Sequence, residues 1–127
     1  MSEYITEDYV SFEIAKLLRK KGFVGNVHAY HNIFDGVNLD YKLNEAPHLN
    51  IPAPTLQMAM KWLRKVHNLS VEVYRTACGY VGCVVAIPSG TDIKFLEEDG
   101  DDLSSGQYTS WEKACEATIK YCLENLI

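Results

Sequence analysis

The side chains able to do chemistry in this 127-residue chain are scattered, and their spacing argues against most of the chemistry they could perform. Asp101, Ser105, Gly106 and Glu112 fall at positions 1, 5, 6 and 12 of a calcium-binding loop of the EF-hand type. Position 3 is Leu103, which has no ligating oxygen, and no helical pattern precedes the stretch, so a solvated acidic loop is expected instead. His28 and His31 are three apart on an expected strand, which sends their side chains to opposite faces. His48 and His67 stand alone, and no cysteine pair has CxxC spacing, so neither metal nor cofactor is expected.

Thiol chemistry has little support. Cys115 and Cys122 lie seven apart on what should be the apolar face of the last helix, where thiols behave as small hydrophobes. Cys78 and Cys83 flank an expected turn, where exposure is allowed, but no base or oxyanion donor is marked near them. Their spacing would permit a bridge across a hairpin; free thiols are the preferred reading. GxSxG, GxxxxGK[ST] and GxGxxG are all missing, and clustered carboxylates occur only in the acidic stretch. No catalytic residue is assigned, and an enzyme is the least favoured class.

Two basic clusters remain, Arg19-Lys20-Lys21 and Lys61-Arg64-Lys65. Both fall where helices should end, and cations suit the carbonyl end of a helix dipole. They are also the candidate anion contacts, for nucleic acid if the two helix ends share a face. Tyr30, Tyr41 and Tyr74 could then form an aromatic platform, although the motif of a single-strand RNA-binding sheet is missing.

The elements that must position these groups follow from hydrophobic periodicity. A helix is predicted over about 9–21, with Ile14, Ala15, Leu17 and Leu18 inward, Glu13, Lys16 and Lys20 outward, and Gly22 as its stop. Segments 26–32 and 37–43 form a hairpin through Phe34-Asp35-Gly36, and the proline-rich 44–54 is loop or extended chain. Thr55 caps a helix near 55–67 in which Leu56, Ala59, Met60 and Leu63 make one apolar stripe and Met58, Trp62 and Val66 a second. That arc covers about half the circumference, wider than the ~100° of a one-sided surface helix, so the helix is sandwiched or covered by another chain. A second hairpin joins 69–76 to a central, continuously apolar 81–88, with a short strand at 92–96. Thr109-Ser110-Trp111-Glu112 reads as a capping box opening a helix to about 125. Trp111, Cys115, Ile119, Cys122 and Leu126 line one side of it, with Lys113, Glu116, Lys120 and Glu124 as ion pairs along the other.

The predicted fold is therefore α+β, order α-β-β-α-β-β-(β)-α, with three helices packed on an antiparallel sheet of four or five strands. One domain spans 1–127, and segments 10–43 and 54–88 have the spacing of a weak internal repeat. Hydrophobic residues make up 47% and charged residues 23%, a globular composition without any apolar run near the ~18 residues of a membrane span. Net charge is −5, and Glu97, Glu98, Asp99, Asp101 and Asp102 account for it, which weakens general nucleic-acid binding. The start, MSEYITEDYVSFE, is acidic rather than basic-then-apolar like a secretory signal, so a cytoplasmic location is expected.

The stretches YVSFEIAKLLRKKGF (9–23), IPAPTLQMAMKWLRKVHNL (51–69) and YTSWEKACEATIKYCLENLI (108–127) resemble small proteins encoded by phages and mobile elements of gut anaerobes. That group has no assigned activity; the resemblance implies an accessory role and transfers no functional residue. The expected function is a non-catalytic binding protein whose interaction surface is Met58, Trp62 and Val66, with a partner protein or a second copy as occupant.

Overall fold

The computed structural model describes residues 5–25, 27, 29–32, 36–38, 50–97 and 107–127. Of the expected calcium-type loop, Asp101, Ser105 and Gly106 lie outside the described residues, as do His28, Tyr41, His48 and Phe34 and Asp35 of the first hairpin's turn.

Helix α1 spans Phe12–Lys20, three residues shorter at its start than periodicity suggests, because Ser11 takes the cap: its hydroxyl accepts the Ile14 amide at 3.3 Å. Gly22, at φ 90°, ends it as expected. Strands β1 (Tyr30–Asn32) and β2 (Gly36–Asn38) form the first hairpin, and β3 (Asn50–Pro52) pairs with the other edge of β1. Part of the proline-rich stretch is thus a strand. Pro52 is tolerated there because β3 is an edge, where a missing N–H need not break an interior ladder.

Helix α2 (Leu56–His67) begins at the predicted cap, Thr55, whose hydroxyl accepts the Met58 amide at 3.1 Å. Strands β4 (Leu69–Arg75), β5 (Tyr80–Ala86) and β6 (Asp92–Leu96) form an antiparallel meander with β5 in the middle, as its apolar run predicts. Ile93 is left unpaired by a bulge, since Val84 faces Lys94 while Val85 faces Asp92. Helix α3 (Trp111–Tyr121) continues into a π-helical turn, Cys122–Leu126, instead of running on as regular helix.

Two expectations change here. The strands form two three-stranded antiparallel sheets, β2-β1-β3 and β4-β5-β6, and no ladder joins them among the described residues. The α+β class and its three helices stand. Tyr30 and Tyr74 therefore belong to different sheets, and Tyr41, the third tyrosine of the expected platform, lies outside the described residues. The cap of α3 also moves by one residue: Ser110, not Thr109, accepts the Lys113 amide, at 3.1 Å. The third helical position is then Lys113, so Glu112 cannot complete the reciprocal capping box.

The core sits where α2 and α3 lie against β4 and β5, with α1 packed on α3 and β3. Leu56, Leu63, Val84, Ile119 and Leu123 are fully buried in it, joined by Ile14 and Leu18 from α1. Helix α3 lies so close to β5 that a β-carbon on Gly82 would overlap the Thr118 hydroxyl. Glycine at that position sets the spacing between sheet and helix. Two of the outward charges of α3 reach beyond their own helix. Glu116 accepts from the Ser11 amide at 2.8 Å and its hydroxyl at 3.1 Å, and Lys120 meets Glu13 at 2.9 Å, so both fasten α3 to α1. No described helix is long and apolar enough to cross a membrane.

Candidate functional site

The two apolar stripes of α2 have different fates. Leu56, Ala59, Met60 and Leu63 are buried in the core. In the second stripe Met58 is half-buried, Trp62 is 9% exposed and Val66 is 56% exposed, so it runs from covered to open along one helix. The cover is the segment that leaves α1. Phe23 packs against Trp62 with ring centroids 5.6 Å apart, and a β-carbon on Gly25 would lie 3.6 Å from the Met58 methyl.

Between them lies an open groove of about 280 Å³. Phe23, Val24 and Gly25 form one wall, Met58, Trp62 and Val66 the floor and far wall, and Lys61 and Lys65 the rim. Val24 is 84% exposed at the mouth. His67 stacks edge-on against Trp62 at 4.6 Å, and its buried Nε2 has no hydrogen-bond partner among the described residues. The three residues singled out from the helical arc thus share one groove, together with a wall whose sequence, Phe23-Val24-Gly25, carries no periodic signal.

The basic clusters divide. Lys61 and Lys65 line the groove, and Arg64 is exposed beside them on α2. Arg19 and Lys20 are exposed in the last turn of α1, just before the groove wall. Lys21 is engaged elsewhere: its ammonium donates to the Ile127 carbonyl oxygen at 2.8 Å.

A cleft of about 400 Å³ between α1 and α3 is the rival location. It holds Glu13, Glu112, Glu116, Lys113 and Lys120, and burial pushes the Glu116 carboxyl above its ordinary range despite the two Ser11 hydrogen bonds, which pull the other way. A raised carboxyl in a cleft can be a general acid. Here both its oxygens are already held by Ser11, and Glu13 is paired with Lys120, so these groups fasten helix to helix.

Three of the four thiols are buried. Burial pushes Cys115 and Cys122 up to about 12, and Cys83 is raised by burial and then by Asp92, whose carboxylate lies 3.6 Å away. Of the two cysteines for which a turn allowed exposure, Cys83 is buried, on the central strand between Glu72 of β4 and Phe95 of β6. Cys78 is exposed, and all four thiols are free. No group of three or more His, Cys, Asp or Glu side chains among the described residues could hold a metal. The outer face of β4-β5-β6 also exposes Tyr74 and Phe95, with ring centroids 6.2 Å apart.

No protein-family model, curated protein or solved structure matches the chain.

Proposed function

We propose that this protein is a non-catalytic binding protein whose α2 groove receives an apolar side chain of a partner protein. The observation that carries this reading is the groove itself: an aromatic pair, Phe23 in the wall and Trp62 in the floor, opening to two strongly exposed valines, Val24 and Val66. Adjoining apolar surface rimmed by charge is what interaction sites present, whereas isolated exposed apolar residues are ordinary. The volume, about 280 Å³, falls just under the ~300–1,000 Å³ of small-molecule sites and suits an anchoring side chain. An accessory role in a phage or mobile element, which the sequence resemblance implies, is consistent with binding in place of chemistry.

The test uses Nile red, a neutral apolar dye, with the wild-type protein and the surface variants V24E and V66E. Saturable dye binding that both variants weaken, with unchanged far-UV circular dichroism, supports the groove. Binding indifferent to either substitution overturns it. Nucleic-acid association draws on the same cations, and a gel shift at low salt removed by K61Q/K65Q would favour it instead.

A further inference from the structure

We infer that the occupant of this groove is an acidic segment of the partner, one that sets an apolar side chain between carboxylates. This rests on the groove being a docking surface at all. Its own support is the distribution of charge. Helix α2 reads LQMAMKWLRKVH and the segment 19–25 reads RKKGFVG, neither with an acidic residue. Together they hold six of the chain's twelve Lys and Arg residues, in a protein whose net charge is −5. The rest of the molecule is therefore strongly acidic, and an anionic partner is repelled by it and drawn to the groove.

The rim cations are also uncommitted. Lys16 lies over the Phe12 ring, Arg75 over Tyr80 and Lys94 over Tyr121, and Lys120 pairs with Glu13. Lys61 and Lys65 have no such partner among the described residues. They stand one helical turn apart, about 6 Å along the axis, on the same flank of α2, next to the Trp62–Val66 stripe. A carboxylate on each side of an inserted leucine or similar side chain meets both. The concave floor favours an inserted side chain over a flat bilayer surface, since Trp62 is recessed and only Val24 and Val66 reach outward.

The experiment titrates the wild-type chain into three labelled synthetic peptides by fluorescence anisotropy. The first carries two leucines, each flanked by glutamates; the second has glutamine for glutamate; the third has serine for leucine. The glutamate–leucine peptide should bind about three- to tenfold more tightly than its glutamine counterpart, the effect of two exposed ion pairs. The advantage should vanish in K61Q/K65Q and in 1 M salt, where the Debye length is ~3 Å. Equal binding of the first two peptides, or an advantage that survives K61Q/K65Q, overturns the acidic partner and leaves the groove standing. Binding by neither leucine peptide overturns the docking reading itself. Binding to phosphatidylserine vesicles, dependent on Lys61 and Lys65 and without peptide binding, overturns both in favour of a lipid surface.

Discussion

Replacing Gly82 by alanine should destabilise the protein through a single contact. The new β-carbon would overlap the Thr118 hydroxyl and lie 3.3 Å from the Thr118 β-carbon and 3.5 Å from the Ala114 carbonyl oxygen. Thr118 is fully buried, and its hydroxyl donates to the Ala114 oxygen at 2.7 Å. Turning the side chain away forfeits that hydrogen bond, about 0.5–1.5 kcal/mol, and the remaining contacts still require α3 to move a few tenths of an ångström off β5. Overpacking of this kind costs about 1–3 kcal/mol, offset by roughly 0.4–1 kcal/mol from a less flexible unfolded chain. A net loss of about 1–2 kcal/mol corresponds to a melting temperature lower by roughly 4–12 °C for a chain of this size. Calorimetry and urea denaturation of wild type, G82A, T118A and G82A/T118A complete a double-mutant cycle. Because alanine at 118 removes the overlapped oxygen, G82A should cost about 1 kcal/mol less in that background. An equal cost in both backgrounds would refute the reasoning.

Other expectations concern the helix fastenings and the thiols. The Glu116 carboxyl is raised in the folded protein, so the folded state holds its proton more tightly than the unfolded chain. Its contribution is therefore full below the ordinary carboxylate pKa and is lost as pH rises through the raised folded value. E116Q should flatten that part of the melting temperature against pH, and parallel wild-type and variant curves would count against the assignment. S110A should cost about 1 kcal/mol in urea denaturation as a lost cap, whereas T109A stays within about 0.5 kcal/mol; the reverse ranking would return the cap to Thr109. Toward a neutral thiol reagent, the exposed Cys78 should react promptly in the native state, with Cys83, Cys115 and Cys122 protected until unfolding. A second promptly reactive thiol would contradict the burial.

What could be read from the sequence was local. The α2 stripe and its Thr55 cap rest on residues three or four apart, and they appear where expected. Choosing between Thr109 and Ser110 was beyond such reasoning, because both are hydroxyls. The deciding fact is the bridge between Tyr80 and Tyr108, whose reciprocal backbone hydrogen bonds of 2.9 and 2.8 Å set where the chain turns into α3. The same holds for β3: its partner β1 lies twenty residues upstream, and prolines alone suggest a loop. For the site, Met58, Trp62 and Val66 were visible as an excess of apolar arc. Their opposite wall was not, because Phe23, Val24 and Gly25 meet them only through tertiary packing.

The pairing of Ser11 with Glu116 spans 105 positions, and that of Lys21 with Ile127 spans 106. On the ribosome, where chains emerge N-terminus first, α1 is among the earliest segments to appear, yet its fastenings are among the last to be made. The α2–β4–β5–β6 stretch can assemble from neighbours during synthesis and α1 can already meet β3, while the part of α1 that packs on α3 stays uncovered until α3 arrives. Emergence of α3 is therefore the event that completes the fastening of α1, and a nascent chain stalled before α3 would leave the Ser11–Glu116 and Glu13–Lys120 contacts unmade.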